Sequence, residues 1–283
     1  MNTLGRKFRI SIFGESHGEA LGVVMDGVPA GIELSQQDFE ADLSRRRSGA
    51  RGTTPRRESD TPHIVSGTFQ GHTTGAPLTV LFYNENTRSA DYRNLVDMPR
   101  PSHADMAAAV KFRNFNDYRG GGHFSGRVTL GLVAAGVVAK KIIDNVSISS
   151  RIVSIGAETD YDKFIQVIEN AMSQGDSVGG IIECTARGCA AGWGEPFFDS
   201  VESVVAHLMF SIPGVKGVEF GSGFAGSALT GSQNNDPIIS PDGKTATNNA
   251  GGINGGITSG NDIVVRIAVK PTASISCPQQ TLN

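Results

Sequence analysis

The first apolar runs of the chain, residues 7–13 and 21–26, have the length and side-chain content of strands, and Gly14–Gly18 is the polar turn between them. Beyond Ser35 the pattern changes to a helical period over residues 36–47. Ser35 stands at the cap, acidic residues come early and arginines late, as the helix dipole favours. Residues 63–69 and 78–83 read as strands and 104–116 as a helix that stops before the Gly120–Gly122 run. Ser125 to Ile143 is a long apolar helix, thinned by Gly126, Gly131 and Gly136 and expected to be buried on most faces. The second half continues with strand 148–156, helix 160–174, strand 178–187, helix 199–210, and strands 215–220 and 263–269. Residues 231–262 are polar and glycine-rich and read as a long functional loop.

A weak repeat runs through this pattern at an offset of 161 residues. Gly18, Gly27, Ala30, Gly31 and Asp38 match Gly179, Gly188, Ala191, Gly192 and Asp199. Both copies read strand, glycine turn, aspartate, helix, so the repeat predicts a duplicated unit. The alternation of strands and helices by itself favours a parallel sheet. No stretch is rich enough in proline, serine or charge to act as a linker, so residues 1–283 are expected to form one domain.

Composition narrows the function. A chain of 283 residues that is 39% hydrophobic can bury a substantial core. A net charge of −3 argues against a generally basic nucleic-acid binder. Three cysteines with no Cys-x-x-Cys spacing suit neither a disulfide framework nor a zinc site. The six histidines form no His-Glu-x-x-His, so no metal is expected. The N-terminal segment lacks the features of a secretory signal, and no apolar run approaches a membrane span. These features predict a soluble, cytoplasmic protein with reduced thiols and no membrane partner.

The candidate chemistry lies where histidines stand among arginines and glycines. His17 sits in Gly14-Glu15-Ser16-His17-Gly18, and His103 in Arg100-Pro101-Ser102-His103-Ala104-Asp105. Residues 45–57 carry six arginines (Arg45, Arg46, Arg47, Arg51, Arg56, Arg57) and no acid. Tyr118-Arg119-Gly120-Gly121-Gly122-His123-Phe124-Ser125-Gly126-Arg127 repeats the mixture. Guanidinium forks grip phosphates and carboxylates, glycines admit anions to backbone N–H groups, and histidine moves protons near neutral pH. The combination points to an enzyme acting on a small polyanion. Three rivals are weaker. Gly14–Gly18 also fits Gly-x-Ser-x-Gly, but a nucleophile elbow needs a helix after it and the next segment reads as a strand. Asp242-Gly243-Lys244-Thr245 lacks the leading glycine of a phosphate loop, since Ile238 stands there. The arginine cluster contains no aromatic residue on which bases would stack, so no nucleic-acid partner is expected.

Taken in order, these segments resemble the chorismate synthase family. The resemblance is carried by FGESHG (13–18), DGVPAG (26–31), DLSRRRSGARGTTPRRESD (42–60), RPSHAD (100–105), DYRGGGHFSGR (117–127), AAGVVAKK (134–141), GDSVGG (175–180), IPGVKGVEFGSGF (212–224), GSQNND (231–236), NNAGGINGGITSG (248–260) and KPTAS (270–274). It implies an α+β fold: a β-α-β sandwich with internal pseudo-duplication, helices packed between antiparallel sheets, assembled as a homotetramer. It implies 1,4-anti elimination of phosphate from 5-enolpyruvylshikimate 3-phosphate to give chorismate. Reduced FMN would be needed, with NADPH as a source of reducing equivalents. By motif position, His17 and His103 would be catalytic. Ser16, Arg46, Arg51, Arg100 and Arg127 would bind substrate. His123, Phe124, Ser125, Pro213, Gly214, Gly255, Lys270, Pro271, Thr272, Ala273 and Ser274 would line the flavin site. Two departures stand out. Many members have Arg-Ser-Ser where this chain has His123-Phe124-Ser125. The family also usually continues past the position of Asn283 through an Arg-His-Asp-Pro-Cys segment. The alternative to an active enzyme is therefore a catalytically impaired, flavin- or anion-binding form of the same scaffold.

Overall fold

The computed structural model describes residues 2–49, 52–53, 56–87, 92 and 98–282. The chain divides into two compact units: Met1–Ile143 with Pro278–Asn283, and Asp144–Cys277.

In the first unit, β1 (Thr3–Leu4), β2 (Arg9–Gly14), β3 (Ala20–Asp26), β4 (His63–Ser66) and β7 (Leu78–Tyr83) form a sheet in the order β1-β2-β3-β7-β4, antiparallel throughout. β3 and β7 are its apolar centre: Leu21, Val23, Met25, Leu78, Val80 and Phe82 have no exposed surface. A 3-10 turn at Gln36–Phe39 leads into α1 (Glu40–Arg46), and Ser35 and Asp38 form a capping box at its start. Phe39 and Leu43 reach the core from this segment. α2 (Asp105–Phe112) ends earlier than its composition predicts, because Arg113 and Asn114 turn left-handed. α3 (Leu130–Ile142) packs against β2, β3 and β7. Of the three glycines noted on this helix, Gly131 is the one pressed on the sheet, where a methyl group would lie 3.1 Å from the Gly22 carbonyl oxygen. Arg119–Ile142 is long and apolar enough to cross a membrane by length and composition alone. It contains three left-handed glycines, and α3 is the core helix of this unit.

The segment expected as one strand over 63–69 is two strands. Gly67 takes φ +86°, with the Cα of Leu78 so close that no side chain fits. The chain then forms a hairpin, β5 (Thr68–Phe69) with β6 (His72–Thr73), turning through Gln70 and Gly71 at positive φ.

The second unit contains β8 (Ser147–Ile155), α4 (Phe164–Ser173), β9 (Gly180–Arg187), α5 (Val201–Phe210), β10 (Val215–Phe220), the short α6 (Gly231–Asn234), β11 (Ile253–Asn254), β12 (Ile257–Thr258) and β13 (Ile263–Val269). Its sheet runs β10-β13-β9-β8, again antiparallel. The parallel sheet suggested by strand–helix alternation is thus corrected in both units, and the α+β fold with antiparallel sheets is what the chain adopts. The loop expected over 231–262 is partly ordered as α6 and the β11–β12 hairpin.

The duplication is far closer in structure than in sequence. Ala20 pairs with Tyr83 and Met25 with Leu78 in unit one; in unit two Ile181 pairs with Ala268 and Ala186 with Ile263. α1 begins at Glu40 and α5 at Val201, the same 161-residue offset. Each hairpin is held by one buried threonine. The Thr73 hydroxyl donates to Pro29 O (2.6 Å) and accepts from Ile32 N (3.0 Å). The Thr258 hydroxyl donates to Ala190 O (2.6 Å) and accepts from Trp193 N (2.9 Å). Gly31 N donates to Thr73 O and Gly192 N to Thr258 O, both at 2.8 Å.

Candidate active site

The site is built from the β2–β3 turn in unit one. Gly14 turns the chain at φ +95°, and the turn buries Ser16 (1% exposed) and His17 (8%). The Gly120–Gly122 run closes over them. All three glycines have positive φ, and a methyl group on Gly120 would sit 2.6 Å from His17 Nε2 and 2.8 Å from Ser16 Oγ. Ser16 N donates to Gly122 O (3.0 Å). Gly120 is required because its main chain packs directly on the histidine ring, and Gly122 because its main chain packs on the Asp117 carbonyl. Ser16 is followed by a strand and its hydroxyl is an acceptor for Arg56, so the hydrolase elbow is absent.

Charges surround the turn. Arg56 donates to Ser16 Oγ and to Ser16 O, each at 3.0 Å, and pairs with Glu58 at 2.6 Å. Glu58 also accepts from Glu85 N (2.9 Å) and Asn86 N (3.2 Å). Burial opposes the Glu58 charge, yet these N–H donors and Arg56 hold its carboxyl below the usual range. Asp60 accepts one hydrogen bond from Arg127 (2.7 Å) and one from Arg46 (3.2 Å). On the other side, Arg119 grips Asp117 with both arms of its fork (2.9 and 2.8 Å). His17 is pushed below its ordinary value by burial first and then by Arg56 and Arg119, with Asp117 and Glu58 opposing. In this setting the neutral form of the ring is favoured.

A chain of contacts leads from His17 to His103. The Tyr92 ring meets the His17 ring edge-on, 5.1 Å between centroids, and the Arg100 guanidinium lies 5.8 Å from the Tyr92 ring centre. Arg100 is locked on Asp105 through Nε (2.8 Å), Nη2 (2.9 Å) and its own N–H (3.0 Å). His103 Nδ1 lies 3.0 Å from Pro101 O, which can only accept, so Nδ1 carries a hydrogen and donates it to that carbonyl.

The other sequence-predicted residues fall in several places. Arg51 lies outside the described residues. Arg46 gives its fork to Asp60 and to the carbonyls of Gly126 and Arg127. His123 bonds through one nitrogen to Gly14 O and through the other to Asn2 Oδ1, so it ties down the turn from below. Phe124 is exposed and tilted against Phe112, and Ser125 caps the helical run that carries Arg127. In unit two, Gly214 O accepts from Lys270 N (2.8 Å), which gathers Pro213, Gly214 and Lys270–Ser274 beyond the Val269 end of β13. Gly255 is at the β11–β12 tip, whose neighbour Gly256 accepts from Val201 N at the start of α5. That places it toward the opposite end of β13.

Sequence reasoning gave no role to Glu58, Asp60, Asn84 and Asp117, and named Arg56 and Arg119 only as members of the arginine and glycine clusters. Asp117 and Arg119 were inside a quoted motif, and Glu58 and Asp60 closed another. The available signal was that each acid follows or precedes an arginine by one to three residues.

Comparison with known proteins places this geometry. The family model described as chorismate synthase matches residues 8–283. The chorismate synthase of Chitinophaga pinensis is 57% identical over all of this chain and 85% of its own length. That of Thermococcus gammatolerans is 44% identical over 99% of the chain and 85% of its own length. A crystal structure of a chorismate synthase superposes with a TM-score of 0.78 at 28% identity, covering 95% of this chain and 85% of that one. The chain belongs to the chorismate synthase family.

Proposed function

We propose that the family reaction, elimination of phosphate from 5-enolpyruvylshikimate 3-phosphate to give chorismate, runs at the His17 face of unit one with reduced FMN bound. The observation that supports this most directly is a buried histidine, its neutral form favoured by burial and by Arg56 and Arg119, on a turn held by main chain at Gly120. The substrate brings a phosphate. Its negative charge beside His17 offsets Arg56 and Arg119 and raises the proton affinity of the ring. His17 then holds a proton at the leaving phosphate oxygen, while the arginines stabilise the charge that develops. Arg119, exposed over two-fifths of its side chain, joins Ser16, Arg46, Arg51 and Arg100 as a substrate contact in this reading. His103 sits beside the flavin as its acid–base partner.

The residues proposed for FMN suit a flat, anionic ligand. Phe124 offers an exposed aromatic face, and Lys270 a cation beside Gly214. Gly255 carries a sharper signal. It takes φ +61° with open space where a side chain would go, and its twin position in unit one, Gln70, holds φ +49° with a full side chain. Conformation alone therefore does not demand glycine at 255, and close approach of a ligand accounts for it. When bound, reduced FMN would supply transient electron density for the elimination, and NADPH is the proposed source of its electrons. The second unit also exposes Phe197, Phe198, Phe224, Ile238 and Ile239. Apolar surface on this scale suits burial between copies of the chain, in keeping with a homotetramer. Reduced cysteines and a soluble substrate suit the cytoplasm.

An anaerobic assay with pre-reduced FMN and 5-enolpyruvylshikimate 3-phosphate, read by chorismate absorbance, tests the proposal. Chorismate forms with the parent chain, and His17→Ala lowers kcat by about 100-fold. A parent rate in His17→Ala would reject the role given to the ring.

A further inference from the structure

Asn84 follows the last residue of β7, and the polar atoms of its side chain are all engaged. Nδ2 donates to Glu15 O (3.1 Å) and Gly18 O (2.7 Å). Oδ1 accepts from Arg127 Nε and from Arg56 Nη2 (3.4 Å). Its backbone N–H donates to Glu19 O (3.0 Å). One amide thus grips both ends of the tetrapeptide Glu15–Gly18, which contains Ser16 and His17, and ties it to two guanidinium groups.

Arg127 explains why the amide points this way. Its side chain is 7% exposed, and its donors go to protein: Nε to Asn84, Nη1 to Asp60 (2.7 Å), Nη2 toward Tyr83 O (3.4 Å), with Glu58 3.8 Å away. A buried cation anchored by two buried acids presents one N–H at a fixed place. That N–H selects the Oδ1 side of the amide and leaves the NH2 side for the turn.

We infer that Asn84, oriented by the buried Arg127, is a positioning residue for the elimination: it clamps the Glu15–Gly18 turn and so sets where the His17 ring lies. This rests on the reading of His17 given above. The groups facing His17 are Arg56 and Glu58 from the segment after α1, Asp117 and Arg119 from the segment before the glycine run, and the Tyr92 ring.

The test uses the full chain with Asn84→Ala and Asn84→Asp, and Thr73→Val as a control that weakens the unit-one hairpin without touching the turn. Three quantities are read: the His17 titration by NMR without substrate, kcat and KM across pH, and the melting temperature. Asn84→Ala lets water reach the turn, so the His17 titration moves up toward its ordinary value. kcat falls about 100-fold with KM within about threefold, the cost of a misplaced catalytic group. Asn84→Asp keeps an acceptor for both arginines but puts an oxygen opposite two carbonyls. It loses kcat as Asn84→Ala does, which assigns the effect to the turn. Thr73→Val lowers the melting temperature and leaves the His17 titration in place. A folded Asn84→Ala whose His17 titration and kcat match the parent would overturn the inference. Should that variant not fold, Asn84→Ser, which keeps one donor, is read against the same two outcomes. A parent rate in His17→Ala would reject the histidine's role and not the clamp, because the titration reads the clamp with no substrate present.

Discussion

The two units share a strand order, a pairing register and a threonine-locked hairpin, yet they treat their sheets differently. In unit one Leu21, Val23 and Met25 are fully buried; their counterparts in unit two, Ile182, Cys184 and Ala186, are half-buried. Unit one also carries the buried acids and arginines around His17, and unit two has no such cluster among the described residues. The difference teaches that the scaffold depends on a few geometric positions, glycines and one threonine per hairpin. Burial and chemistry were then distributed unequally over the two copies.

The strongest test of the shared scaffold is at the matched glycines that end β3 and β9. A methyl group on Gly27 would fall inside the Lys7 carbonyl, and one on Gly188 would lie 2.5 Å from Asn145 O; both have positive φ. Gly27→Ala should cost about 3 kcal/mol and Gly188→Ala about 2 kcal/mol in chemical denaturation. A loss only in unit one would break the equivalence.

Thr73→Val and Thr258→Val come next. Each removes a buried hydroxyl that bonds one part-buried carbonyl and one part-buried N–H, for about 2 kcal/mol apiece. Equal losses by thermal melting confirm equivalent locks; a twofold disparity would show that one copy has found other support.

Acid separates the units by chemistry. Glu58 has a folded pKa below its ordinary 4.5, because N–H donors and Arg56 outweigh burial. Its contribution is present above about pH 4.5 and is lost as pH falls through the folded value. His17 adds to the same trend from higher pH: with its folded pKa below 6.5, folding is disfavoured as pH drops below 6.5. Glu58→Gln should therefore flatten the fall of melting temperature below pH 4.5. An unchanged slope would mean that the buried network does not respond to acid.

The smallest effect on stability is expected at the hairpin tips. Gly255→Gln places in unit two the residue that unit one already tolerates, so stability should change by less than about 1 kcal/mol. Reduced FMN binding, followed by fluorescence, should weaken at least tenfold. Unaltered binding would remove Gly255 from the flavin site.

Much of this was legible in the sequence. β10 and β13 have the predicted bounds, the Ser35 cap holds, and the Gly14–Gly18 motif is the turn that the charged groups of the candidate site surround. The hairpin duplication was not legible, for a definite reason. The segment between the shared aspartate and the threonine differs in length in the two copies, so the offset of 161 that aligns Asp38 with Asp199 does not align Thr73 with Thr258. The arginine cluster was misleading for a related reason. Its acidic partners, Glu40, Glu58 and Asp60, stand just outside the window that looked free of acid, and they pair with it once the chain folds. Single residues also redirected elements: Gly67 split a strand, and left-handed Arg113 and Asn114 shortened a helix.

The amide of Asn84 has a last consequence, in the chemistry of ageing. Asparagine deamidates when the next residue's backbone nitrogen attacks the side-chain carbonyl carbon. Here that nitrogen belongs to Glu85 and is held by Glu58, while the amide is held from both sides. The bonds that orient the turn also keep the attacking nitrogen from its target. The residue whose conversion to aspartate would release His17 is thereby shielded from the slow reaction that would convert it.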